Sequence, residues 1–149
     1  MKDLIDKFEW GEWQPKNLPS VTPEDVLRIE QEIGFKIPLD YVEVSRHVHG
    51  KEPTPGSHVA DGGGSALGEL FHFSGDLSDD RLGWGDWINE NSDTLLLPIS
   101  QDGGGNFFAF NFGKDPQNAN PTVVFWDHET QIVTTLAESF TQFLGQLEE

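Results

Sequence analysis

A chain of 149 residues is the size of one domain, long enough to bury a core without staples, and its five Trp and eleven Phe supply large buried area per residue. With no Cys, neither a disulfide nor a thiolate metal site is possible. The formal net charge of −17 sets nucleic acid and anionic lipid aside as partners, because such a field repels polyanions and accelerates association with a basic protein.

The charge is uneven: between Glu52 and Gly113 there are ten acids and a single base, Arg81. The opening MKDLIDKFEW carries no apolar stretch of the kind an export signal needs, and no apolar run approaches the ~18 residues of a membrane span. With the lack of Cys, this gives the expectation of a cytosolic protein.

In chain order, Leu4, Ile5 and Phe8 fall at helical spacing, followed by Trp10 and Trp13 around Gly11, a short amphipathic turn whose aromatics dock on the main body. The first full helix has a complete start signal. Thr22 is the N-cap, Pro23 takes the first helical position, and Asp25 stands three residues after the cap as a variant capping box. Val26, Ile29 and Ile33 share one face and Gly34 ends the helix. Pro38 begins a second helix with Tyr41, Val42, Val44 and Val48 apolar, closing at Gly50.

Lys51–Gly68 reads as a long loop, Glu69–Ser74 as a strand, Asp76–Asp80 as an acidic turn, and Trp84, Trp87 and Ile88 as the apolar stripe of a short helix. From Leu95 to Trp126 three apolar runs punctuated by Gly, Pro, Asn and Asp predict consecutive antiparallel strands. Alternation in the middle run places Phe108, Phe110 and Phe112 on one face and Phe107, Ala109 and Asn111 on the other. Gln131–Thr135 predicts a further strand across a turn at Glu129-Thr130. A final helix starts near Ser139, with Gln142 as capping-box partner and Phe140, Phe143, Leu144 and Leu147 as its buried stripe.

The string PEDVLRIEQEIGFKIPLDYVEVSRHVHG resembles the opening signature of the SUKH superfamily, the group that includes the yeast cell-wall-synthesis regulator and many bacterial toxin-immunity proteins. The matching residues are Ile29, Glu30, Ile33, Gly34, Ile37, Pro38, Asp40, Tyr41 and Gly50, with His49 where the family usually has Asn. The second half is similar in the same order: Pro98-Ile99, an Asp-Gly turn into the aromatic strand Asp102 to Phe112, the Val-rich strand Val123 to Asp127, and Ser139, Phe140, Phe143 and Leu144 in the last helix. The resemblance covers about residues 22–147 of a single domain spanning 1–149, with 1–19 as an N-terminal extension.

No motif carries catalytic chemistry. Two Asp-Gly-Gly-Gly runs, at Asp61 and Asp102, lack a following Lys-Ser/Thr and lead into strands rather than helices, so they read as turns and not as phosphate cradles. The five His show no ligand spacing, and Asp76, Asp79 and Asp80 lack the closing Glu of a calcium loop. Asp127-His128 invites a triad reading, but no nucleophile elbow accompanies it. Large aromatics in a small domain are mostly core; Trp84 and Trp87 are set apart only by flanking an acidic turn, a combination suited to a binding hot spot.

The expected fold is therefore α+β: a mostly antiparallel sheet of five or six strands, flanked by two N-terminal helices and one C-terminal helix. The resemblance implies a non-enzymatic immunity protein that binds a cognate toxin; the acidic charge points to a basic one such as a nuclease, and no residue spacing calls for a cofactor or metal. The expected binding surface comprises Asp61, Glu69, Asp76, Asp79, Asp80, Trp84, Asp86, Trp87, Glu90 and Asp102. Two other classes stand beside it: a scaffold or regulatory interaction module, and a small-molecule-binding domain recognised by a deep pocket with converging polar groups.

Overall fold

A computed structural model describes residues 2–11, 21–48, 51–54, 67–68, 70, 95–102 and 105–147. The described elements are α1 (Lys2–Asp6), β1 (Glu9–Gly11), α2 (Pro23–Ile33), α3 (Leu39–Val48), β2 (Glu52–Thr54), β3 (Leu96–Gln101), β4 (Phe107–Asn111), β5 (Thr122–Trp126), β6 (Val133–Ala137) and α4 (Phe140–Gln146). The fold is α+β. Its main sheet is antiparallel in the order β3-β4-β5-β6, and β1 and β2 form a separate two-stranded ribbon.

The sheet is a meander of sequence neighbours, joined by connections rich in Gly, Asn and Asp. Its main face is aromatic because β4 alternates as expected. Phe108 and Phe110 are fully buried with Phe112 beside them, while Ala109 faces the other way into a small second cluster with Leu96 and Val124. Pro98, which has no N–H to donate, sits where the β3–β4 register slips between Pro98 and Ser100.

Two helices cover the main face through a shared aromatic contact. Tyr41 of α3 meets Phe110 edge-on at 5.7 Å between ring centroids and Phe140 of α4 at 5.0 Å. Phe143 of α4 packs on Phe108 at 5.6 Å. Such offset and edge contacts match the charge distribution of the rings better than stacking face to face. At the chain start, Lys7 Nζ reaches the carbonyl oxygens of Gly145 and Leu147 at 3.3 and 3.2 Å, a cation placed at the negative end of α4.

The main sheet has four described strands, below the five or six expected. The strand expected over Glu69–Ser74 contributes only Leu70, which bridges Ser100 beside β3; residue 69 and residues 71–74 lie outside the described residues. Conversely, the Trp10 region expected to end a helical turn forms β1, in register with β2 from Glu9–Thr54 to Gly11–Glu52. A three-residue strand has too few side chains to show alternation. Only its distant partner stabilises it.

Candidate functional site

The described surface offers a large concavity, built on the link between α2 and α3. Local chemistry sets that link. Thr22 Oγ1 accepts from Asp25 N at 3.2 Å and Thr22 N donates to the Asp25 carboxylate at 3.0 Å, closing the capping box. At the far end Gly34 is left-handed at φ 80° and returns its N–H to Glu30 O. The Glu30 carboxylate then accepts from Ile37 N at 2.7 Å and turns the chain back toward α3. Lys36 N donates to Pro116 O, and Gln117 Nε2 to Gly34 O, so the link is also tied to the β4–β5 loop.

The two helices so positioned leave a half-open groove of about 760 Å³ between them. Val26, Ile37 and Val42 form its apolar floor, with Leu27 and Leu39 as lips that are 55% and 79% exposed. Its rim is nearly neutral: Glu43 pairs with Arg46 at 3.6 Å, and Lys36 stands near Glu30 in the lining. A smaller hollow of about 260 Å³ lies across the Lys36–Leu39 link, between Pro38, Pro121 and Phe140. The groove's exposed lips suit contact with an apolar surface.

Of the ten residues expected to form an acidic binding surface, Asp102 alone is described; Asp61, Glu69, Asp76, Asp79, Asp80, Trp84, Asp86, Trp87 and Glu90 lie outside the described residues. Asp102 is half-buried and engaged in the β3–β4 turn. Its carboxylate accepts from Asn106 N at 2.9 Å and Asn106 Nδ2 at 3.0 Å. The Asn106 side chain thereby presents its oxygen to the next turn, where it accepts from His128 N at 3.0 Å and lies 2.7 Å from His128 Nδ1. An amide oxygen only accepts, so Nδ1 carries the proton. Asp102, Asn106 and His128 thus form a polar chain that locks two turns at one end of the sheet. Sequence reasoning had paired His128 with Asp127, but the Asp127 carboxylate accepts from Glu129 N and Thr130 N instead, shaping its own turn.

Among the described residues no three His, Asp or Glu side chains converge as an ion would require, and no helix is long and apolar enough to cross a membrane. Tyr41, the chain's single tyrosine, is fully buried; burial pushes its phenol well above the usual range. The Ser45 hydroxyl nearby opposes that rise, a smaller effect than burial.

An antiparallel sheet covered by α3 and α4, which meet it through Tyr41, Phe110 and Phe140, with an apolar groove between α2 and α3, defines an α+β domain. Residues 20–146 match the SMI1 / KNR4 family (SUKH-1), and the chain belongs to that family. No curated protein matches it in sequence. The family residues noted in the sequence have structural duties here: Ile29, Ile37 and Tyr41 are core, Gly34 is the left-handed cap, and Glu30 holds the Ile37 amide. The signature thus builds the scaffold, and two of its residues, Glu30 and Ile37, also line the groove.

Proposed function

We propose that this chain is a cytosolic bacterial immunity protein that binds a cognate toxin domain with a basic cleft and silences it by stoichiometric occlusion. Family membership supports the reading, since the superfamily includes many toxin-immunity proteins. The observation that carries it to a basic target is the concentration of ten acids against one base between Glu52 and Gly113. Asp61, Glu69, Asp76, Asp79, Asp80, Asp86, Glu90 and Asp102 supply the field, and Trp84 and Trp87 the anchors. Opposite charge speeds capture and desolvated aromatics slow release.

Co-expression with the toxin encoded next to this chain's gene tests the proposal: cells survive when the protein is soluble and die without it. Death despite soluble protein rejects it. Association with the toxin slows steeply as salt rises, whereas a flat dependence rejects the electrostatic part. The groove between α2 and α3 favours a second reading, a scaffold or regulatory module, because its lips are apolar and its rim nearly neutral. That reading expects a partner unrelated to any toxin.

A further inference from the structure

The described surface carries a second apolar exposure, at the outer edge of the sheet. β6 pairs with β5 on one side, and among the described residues nothing pairs with its other side. Ile132 is 61% exposed and Val133 41%, and Thr134 and Thr135 are exposed as well, so the strand's first half is open on both faces. From Thr130 to Ala137 the sequence TQIVTTLA holds no charged residue, in a chain where 9 bases and 26 acids make about one residue in four charged. Proteins ordinarily protect a sheet edge with charge, Pro or a bulge, since its unpaired N–H and C=O groups template another strand. Here the bulge comes late: the register with β5 slips at Leu136, leaving Ile132 to Thr135 as an unprotected β-branched run.

The backbone groups that face outward follow from the pairing. Asp127 N donates to Ile132 O at 3.1 Å, so Ile132 is directed at the β5 side. In an antiparallel pair this direction alternates, which turns Thr134 inward and the N–H and C=O of Val133 and Thr135 outward. The run is also held in place before any partner arrives. Gln131, left-handed at φ 60°, returns its N–H to Asp127 O, Ile132 N donates to Thr130 Oγ1, and the neighbouring turn is locked through Asn106 and His128. A rigid edge loses little entropy on pairing.

We propose that the β6 edge at Val133–Thr135 is a strand-addition site for an extended, cationic segment of a protein partner. Charge selects that occupant. Exposed Glu129 and Glu138 bracket the uncharged run, placing carboxylates where basic residues flanking an added strand would lie. A second copy of this chain would bring another net charge of −17 and is repelled. Main-chain bonds to Val133 and Thr135 supply the affinity, and the bracketing acids supply the preference. Only the naming of a toxin as this partner rests on the immunity reading.

The probe is the peptide Lys-Lys-Val-Thr-Val-Thr-Val-Lys-Lys, with a control carrying Glu for every Lys, titrated into the whole protein while backbone amides are followed by NMR. The Lys peptide is expected to perturb the Val133 and Thr135 amides and the Glu peptide to leave them unmoved. Thr135→Pro removes one outward N–H without touching the ladder to β5 and weakens binding roughly tenfold. Val133→Lys, which leaves the backbone intact and repels the probe, weakens it as well and decides the matter if the proline variant does not fold. The proposal is overturned if those amides stay still, if both peptides bind alike, if the folded variants bind as wild type does, or if concentrating the protein alone moves the same amides. In the toxin assay, wild-type failure with peptide binding intact removes the immunity reading and keeps the edge site. Equal protection by wild type and folded Thr135→Pro removes the edge as the toxin's seat.

Discussion

The carboxylate of Asp40, in the first turn of α3, caps the first turn of α4: Oδ2 accepts from Thr141 N at 2.9 Å and from Thr141 Oγ1 at 3.0 Å, across 101 positions of sequence. Its other oxygen accepts from Tyr41 N at 2.9 Å, beside the ring that packs on Phe110 and Phe140. One Asp-Tyr dipeptide therefore aligns two helix starts and fastens both to the sheet. Asp40→Ala removes an acceptor from a helix N-terminus and is expected to cost about 1–2 kcal/mol in urea unfolding, while Asp40→Asn, which keeps an oxygen, costs less. Equal losses for the two would show that the contact to α4 contributes nothing.

Tyr41 gives a spectroscopic prediction, because no second tyrosine obscures it. Burial raises its folded-state pKa above the unfolded value of ~10, so the contribution to stability is complete below about pH 10 and is lost as the pH rises further, where the unfolded chain ionises and the folded one does not. Absorbance of the phenolate near 295 nm should stay flat through pH 10 and then rise together with loss of the far-UV signal. A smooth titration near pH 10 in the folded protein would place the ring in water.

Phe110 is fully buried and touches Tyr41, Phe112 and Phe140. Truncation to Ala removes the contact that joins α3, α4 and the sheet, and is expected to destabilise the protein by about 3–5 kcal/mol, a large share of the stability of an ordinary domain. A loss under ~1 kcal/mol would mean that the core closes over the gap.

Gly34 and Gly68 are both expected to resist substitution, for different reasons. At Gly34 a Cβ meets nothing within 4 Å, but φ is +80°, so Gly34→Ala costs about 1–2 kcal/mol through backbone strain alone and Gly34→Asn costs less. At Gly68 a Cβ would overlap the carbonyl oxygen of Gln101, so Ala and Asn are equally disruptive there. Thermal unfolding of the four variants separates the two cases.

Asn106→Ala cuts the link between the β3–β4 and β5–β6 turns, whose polar groups are partly open to water. The expected loss of stability is modest, about 1 kcal/mol. Amide exchange should quicken at His128 and Asn106 while the centre of β4 stays protected. If Asp102 also contacts a partner, Asp102→Ala weakens binding beyond what this turn variant does.

Much of this fold is local in origin and so could be read along the chain. The capping box at Thr22 and Asp25, the stop at Gly34, the alternation of Phe107 to Phe112 and the stripe of α4 depend on neighbours within a few positions, where period and cap chemistry act. Small errors arose where context shifted a boundary: β6 runs from Val133 to Ala137 rather than Gln131 to Thr135, since the Asp127 turn takes up Gln131 and Ile132. Gln142 does serve the start of α4, but it accepts from Glu138 N and not from the cap residue itself.

Composition settled the acidity and the absence of thiol chemistry, and local spacing settled α2, α3, α4 and the run of strands β3 to β5, because each is a property of residues and their immediate neighbours. The tertiary structure decided what Asp40, Glu30 and Asn106 are for, that β1 meets β2, that a groove opens between α2 and α3, and that one β-branched run stands at an edge with no partner strand among the described residues. These depend on which distant segments the core brings together, and no window of sequence contains both partners of such a contact.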